Sequence, residues 1–216
     1  MLIRRFLIAE GNPTILVWDY LPWEKQSIVK KFLPDLADQV GFVSQTANGA
    51  VKLEMMGNEL CINATLALAA NYKKSGQLST SVVNETVKYV NRNGLTSLAL
   101  NLPYKIIDNT ILFKGIGYTI TNKSLNPEIV LPALASRFNL PAFGLVTYQN
   151  TKINPVVFVK ETQSIVNETS CGSGSIAFSL LNKVSKIIQP SGNVIKVQKS
   201  SSGLIITAKV TEIKLE

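Results

Sequence analysis

Two cysteines and no histidine occur among the 216 residues, and the cysteines are the residues whose setting most suggests chemistry. Cys171 sits in Asn167-Glu168-Thr169-Ser170-Cys171-Gly172-Ser173-Gly174-Ser175, and an apolar run over residues 176–181 follows. A cysteine ahead of Gly-x-Gly and a helical pattern meets free backbone N–H groups and the positive end of the helix dipole. Those conditions are expected to lower a thiol's pKa and to favour an anion. The turn has an echo: Cys61-Ile62-Asn63-Ala64-Thr65-Leu66-Ala67 lies against Cys171-Gly172-Ser173-Gly174-Ser175-Ile176-Ala177. Both copies run cysteine, variable, small polar, tiny, Thr or Ser, aliphatic, Ala, so the chain reads as two related halves.

Two thiols aimed at one carbon atom from opposite sides, one ionised and one not, can remove a proton on one face and return one on the other. Two helix N-termini directed at a carboxylate would stabilise the carbanion between the steps. Neither a pyridoxal lysine nor a metal is required, so no cofactor is expected. The lack of histidine excludes Ser-His-Asp and Cys-His mechanisms and nearly all zinc chemistry, leaving acid–base work to Cys, Asp, Glu, Lys or Tyr.

The elements that must carry these turns follow from periodicity. Residues 2–9 and 14–18 read as strands around a Glu10-Gly11-Asn12-Pro13 turn, and 23–33 as a helix stopping at Pro34. Short strands over 40–43 and 50–55 flank an Ala47-Asn48-Gly49 turn. A helix from Asn63 to Lys74 ends before Gly76. Its residues Ala64, Ala67, Ala69 and Ala70 are too small for a surface helix's apolar face and fit one threaded through sheet. Residues 81–120 are strand-like, with turns at Arg92-Asn93-Gly94 and Asp108-Asn109. A helix spans 127–139 despite Pro132, strands follow at 143–148 and 155–160, and the second cysteine helix runs to about Ile188. Strands 194–198 and 204–215 close the chain. The expected fold is α+β: two pseudo-symmetric lobes, each a curled sheet around a central helix, with the active site in the cleft between them. Residues 1–80 form the N-terminal lobe and 81–204 the C-terminal lobe, and 205–216 a strand that can return to the first lobe.

The formal charge is +8, but the lysines are scattered and no basic run is interleaved with aromatics. A solvated surface with some steering of carboxylates is expected rather than nucleic-acid binding. No apolar stretch reaches the roughly 18 to 20 residues of a membrane span, and the N-terminus is charged too early for a signal peptide. A soluble, cytoplasmic protein with reduced thiols is expected; a homodimer is compatible with the sequence.

The stretches Glu10-Gly11-Asn12-Pro13-Thr14-Ile15-Leu16-Val17, Gln39-Val40-Gly41-Phe42, Gly57-Asn58-Glu59-Leu60-Cys61-Ile62-Asn63-Ala64-Thr65 and Glu168-Thr169-Ser170-Cys171-Gly172-Ser173-Gly174 resemble the diaminopimelate epimerase superfamily. Within it they are most similar to the histidine racemases of staphylopine-type metallophore synthesis. The resemblance implies a cofactor-independent amino-acid racemase with Cys61 and Cys171 as the two acid/bases. Asn12, Gln39 and Asn63 would line the substrate site. Backbone amides of Asn63, Ala64, Ser173 and Gly174, with Gly172 in the same turn, would hold the α-carboxylate. Glu168 would face the α-ammonium or the distal group; read from the residues alone, it is equally a solvated charge near a helix start.

Three departures from the family pattern stand out. Ile62 replaces a glycine after the first cysteine, Gly115-Ile116-Gly117-Tyr118 replaces a Gly-Asn-Pro-His-like turn, and Asn167 and Thr169 flank Glu168 where diaminopimelate epimerases have an arginine. The last argues against a distal carboxylate. Two other functions stay open: a proline or hydroxyproline racemase or epimerase of other specificity, and a non-catalytic ligand-binding or redox protein of the same fold.

Overall fold

The computed structural model describes residues 1–46, 49–72, 74–82 and 86–215. The first half of the chain contributes strands β1 (Leu2–Ile8) and β2 (Gly11–Trp18), helix α1 (Lys25–Phe32), β3 (Gln39–Gln45), β4 (Val51–Met55), helix α2 (Ile62–Ala70), β5 (Ser75–Thr80), β6 (Val87–Arg92) and β7 (Leu95–Leu100). The second half contributes β8 (Tyr104–Ile107), β9 (Thr110–Phe113), β10 (Ile116–Thr121), α3 (Pro127–Arg137), β11 (Ala142–Gln149), β12 (Lys152–Val159), β13 (Ser164–Asn167), α4 (Gly172–Asn182), β14 (Lys186–Ile188), β15 (Val194–Ser200) and β16 (Gly203–Ile213). The architecture is a mixed sheet with few helices.

Parallel neighbours cannot be joined by a tight turn and need a crossover. Each helix supplies one. α1 links the parallel pair β2–β3 and α2 links β4–β5. α3 links β10–β11, and α4 lies between the parallel strands β12 and β14. The order β1-β2-β3-β4-β5-β6-β7 is thus repeated as β9-β10-β11-β12-β14-β15-β16, the internal echo expressed as topology.

β16 is the joint. It pairs with β7 on one side and β15 on the other through Gly203–Lys209, and its far end pairs with β1 from Arg5↔Ile213 to Ile8↔Val210. That last pairing closes β1 to β7 and β16 into a ring of eight strands. α2 packs against every strand of the ring, with Ile62–Ala69 all buried. Its alanines let a helix fit a bore lined by Leu16, Leu53, Leu78 and Leu98. α4 packs on β10, β11 and β15. α3 covers the other face of β11 and β12, where Leu131 and Ala135 meet Phe143, Leu145 and Phe158.

Several boundaries differ from the sequence expectation. Gly11 to Pro13 belong to β2, because the chain reverses one step earlier: Ala9 and Glu10 have φ of 48° and 55°. α2 stops at Ala70 rather than at residue 74, and Gly76 lies inside β5 beneath the Tyr89 ring. α4 ends at Asn182 on a left-handed Lys183 instead of reaching Ile188, which is in β14. β5, β13 and β14 are short strands without a recognisable alternation. Ala47 and Asn48 of the expected turn lie outside the described residues, as does Lys73.

If the ring sets a fixed bore, enlarging α2 must overpack it. Ala67→Leu is expected to lower stability by about 1–3 kcal/mol, measured by denaturant unfolding. An unchanged midpoint would mean the ring is slack.

Candidate active site

Each cysteine is the N-cap of its helix, in extended conformation, and its sulfur accepts the N–H three residues on. Ala64 N donates to Cys61 Sγ at 3.3 Å and Gly174 N donates to Cys171 Sγ at 3.2 Å. The next residue of the echo closes the turn: Thr65 Oγ1 donates to Cys61 O at 2.7 Å and Ser175 Oγ to Cys171 O at 2.6 Å. The shared Thr or Ser is therefore a backbone lock behind each cysteine. Asn63 and Ser173, second in each helix, have N–H groups with no intrahelical acceptor. Those of Ala64 and Gly174 are engaged by sulfur, and that of Asn63 also bears on the Cys61 sulfur.

The two helix tips touch. Asn63 Nδ2 donates to Ser170 O at 2.9 Å, and Gly172 N donates to Asn63 Oδ1 at 2.9 Å. A Cβ on Gly172 would lie 2.8 Å from Ile62 Cγ2 and 2.9 Å from Asn63 Oδ1. Ile62 and Gly172 are thus complementary: the bulk gained after the first cysteine is matched by its lack after the second.

The two sulfurs have different partners. Cys61 Sγ lies 2.8 Å from Gln39 Oε1, an atom that can only accept, so Cys61 is the donor and carries its proton. Gln39 Nε2 donates to Asn12 Oδ1 and to Thr14 Oγ1, and Asn12 Nδ2 donates to Glu168 Oε1 at 3.0 Å. This chain runs from the Glu168 carboxyl to a thiol. Cys171 Sγ instead meets the Tyr118 hydroxyl at 3.5 Å, and that hydroxyl also meets Ser173 Oγ at 2.7 Å. Glu168 also lies against the Cys171 thiol and favours its protonated form, while its buried Oε2 meets no partner at full hydrogen-bonding geometry among the described residues.

Sequence reasoning missed four members of this cluster. Tyr118 stands in the segment that departs from the family turn, and no role follows for it from the sequence. Thr14 adds a hydroxyl to the amide chain. Thr169 Oγ1 accepts the Asn12 N–H at 2.6 Å, holding Asn12 at its positive φ of 46°. Gln189 is fully buried, accepting Cys171 N–H at 2.8 Å and donating to Ser175 Oγ at 2.9 Å.

The thiols are not acidified as the helix-tip argument expects. Burial pushes both Cys61 and Cys171 well above the ordinary thiol range, and the charge of Glu168 pushes the same way. The N–H donors of Ala64 and Gly174 pull down and are outweighed. Burial likewise raises Glu168 to about 8, Glu59 to about 7 and Asp38 to about 6. A cavity of about 30 Å³, room for one water, is lined by Cys61, Gln39, Asp38, Glu59, Tyr118, Glu168 and Ser173 among others. Asp38, Met56 and Val166 also border a larger cleft of about 910 Å³ between α1 and the segment 161–167.

Residues 9–100 match the model of the histidine racemase CntK N-terminal domain. A histidine racemase from Fusobacterium nucleatum is 26% identical over an alignment covering 84% of this chain and 83% of that protein. Among solved structures, a predicted epimerase from Pseudomonas aeruginosa superposes with a TM-score of 0.67 at 8% identity, covering 98% of this chain and 96% of the other. A hydroxyproline epimerase from Agrobacterium vitis, with trans-4-hydroxy-L-proline bound, superposes with a TM-score of 0.57 at 10% identity, covering 98% and 91%. The chain is an isomerase of the racemase and epimerase class. More narrowly, its residues 9–100 are similar to the histidine racemase N-terminal domain.

Three carboxyls with raised pKa values give stability a definite pH dependence. Unfolding returns Glu59 and Glu168 to about 4.5, so the folded chain holds extra protons between about 4.5 and 8. Their contribution is greatest below that window and is lost as pH rises through it. The thermal midpoint is expected to fall from pH 5 to pH 8.5, and less steeply in Glu168→Gln. An equally steep fall in the variant would remove Glu168 from the account.

Proposed function

We propose that this chain is a cofactor-independent amino-acid racemase in which Cys61 and Cys171 work on opposite faces of one Cα, with histidine the favoured substrate. The observation that carries this reading is the meeting of two helix N-termini, each capped by its own cysteine and clasped by Asn63. In this account the N–H groups of Asn63 and Ser173 receive the α-carboxylate at the two helix tips. The buried Oε2 of Glu168 receives the α-ammonium. One thiolate takes the Cα hydrogen, the carboxylate accepts the developing charge, and the other thiol delivers its proton to the opposite face. The enzyme leaves the turnover with the two protonation states exchanged, ready for the other enantiomer.

The thiols' upward shifts suit a site that ionises only when occupied, since the incoming ammonium offsets the charge on Glu168 and lowers the cost of a thiolate beside it. Asp38 and Glu59 line the same small cavity, so a distal imidazole meets carboxyl groups, whereas a distal carboxylate would meet like charge. We assign residues 1–80 and the returning 205–216 strand to one lobe, with β6 and β7 completing its ring, and the rest to the other. The substrate enters between them from the larger cleft. A cavity with room for one water must open to admit an amino acid, so the lobes separate on binding. A cytoplasmic location and a place in metallophore synthesis belong to the same reading.

The test is a panel of L-amino acids in deuterated water. Histidine is expected to exchange its α-hydrogen and racemise, with Cys61→Ser and Cys171→Ser each losing at least about 100-fold at unchanged thermal midpoint. Ile62→Gly should retain activity. Full activity in either serine variant would exclude the two-thiol mechanism, and exchange of proline in preference to histidine would redirect the substrate assignment.

A further inference from the structure

The two thiols are unequally equipped. Cys61 faces a fixed amide acceptor, Gln39 Oε1. Cys171 faces a rotatable phenol, which is shared with a rotatable serine hydroxyl. We propose that Tyr118 is a positioning residue for the Cys171 half of the reaction: its O–H turns toward the sulfur when Cys171 is a thiolate and toward Ser173 when Cys171 is a thiol. This rests on the racemase reading above.

The argument begins with what each atom can do. A thiolate accepts only, and a phenol 3.5 Å away is a neutral donor that stabilises it without adding a charge to the site. A thiol needs no such donor, and the phenol then has Ser173 Oγ at 2.7 Å to donate to. The pair of hydroxyls can follow the sulfur through both states by rotating two O–H bonds, with no heavy atom moving.

The placement of Tyr118 is tightly held. It is 1% exposed. Its ring occupies the space over Gly144, where a Cβ would lie 2.1 Å from Tyr118 Cε1; on the parallel neighbour strand, only glycine admits the ring. Tyr118 lines the small cavity that Cys61 also lines. Around Cys171 the other titratable group is Glu168, on which Asp38 and Glu59 act in turn, with Arg5 facing Asp38. Glu168 opposes ionisation of the sulfur both by its charge and by a side-chain hydrogen bond to the thiol, whereas the phenol and the Gly174 N–H favour it. Tyr118 is therefore the side chain that offsets Glu168 at this sulfur.

The test follows the Cβ signals of isotopically labelled cysteine by NMR across pH, together with steady-state kinetics. In Tyr118→Phe the Cys171 midpoint is expected to rise while that of Cys61 stays. kcat should fall about 10- to 100-fold, the worth of one hydrogen bond to a charged group, with KM nearly unchanged. A ring-fluorinated tyrosine at 118, a stronger donor of nearly the same shape, should lower the Cys171 midpoint, and it decides the matter if the Phe variant does not fold. A Cys171 midpoint unmoved in both variants, or both cysteines shifting alike, would overturn the proposal. If the wild-type protein exchanges no α-hydrogen, the racemase reading falls, and the Cys171 signal still reports whether Tyr118 controls that sulfur.

Discussion

Two helix N-termini do not meet without help. Each carries a partial positive charge and unsatisfied N–H groups, so bringing them together in a dry interior is unfavourable unless something both accepts and donates at the junction. Asn63 does so with a single amide. Its oxygen takes the Gly172 N–H at the tip of α4, and its nitrogen gives to Ser170 O just before it. The rest of the site follows from that clasp. Gly172 must lack a Cβ because Ile62 and Asn63 Oδ1 fill its space, and Cys171 is held from behind by Gln189 on its N–H. The ring around α2 and the sheet against α4 are the frame that keeps the two helices from separating along their own axes.

The same burial that makes the clasp possible sets the electrostatics. A thiol at an exposed helix tip would be acidified, but here the desolvation of both sulfurs outweighs their N–H donors. Glu168, Glu59 and Asp38 are raised for the same reason. The site is therefore short of positive charge and reluctant to hold negative charge. A ligand that brings an ammonium group and leaves its carboxylate to the helix tips corrects both faults at once, and in the proposed reaction the free site is poised rather than active.

What the sequence made legible was local. The echo of Cys-x-polar-tiny-Thr/Ser corresponds to bonds spanning three and four residues within one turn: Ala64 to Cys61, Thr65 to Cys61, and their counterparts at Gly174 and Ser175. Such bonds constrain residue type at fixed spacing, so they leave a pattern. Asn12, Gln39 and Glu168 have no such spacing and were named only through resemblance, yet they form one chain. Tyr118 and Gln189 contact the cysteine turn from 53 and 18 positions away, and nothing local marks a tyrosine inside an apolar strand as different from its neighbours. The ends of α2 and α4 were overrun because their downstream segments are short strands whose identity depends on partners, β6 and β15, elsewhere in the chain.

The duplication and its breaking can be separated on this evidence. Backbone order, crossover helices, cysteine caps and hydroxyl locks are repeated between the halves; the side chains that touch the sulfurs are not. For the proposed reaction that division has a physical reason. A racemisation has an equilibrium constant of one, so unequal partners on the two thiols cannot favour either enantiomer at equilibrium. They can only set which thiol ionises once substrate is bound, and how readily the two forms exchange. The amide acceptor Gln39 Oε1 keeps a proton on Cys61, while a hydroxyl pair that turns with the charge accommodates either state of Cys171. A site with two identical partners would ionise either thiol equally on binding. Divergence of the partners on a conserved backbone frame lets one form predominate without disturbing the geometry that both directions require.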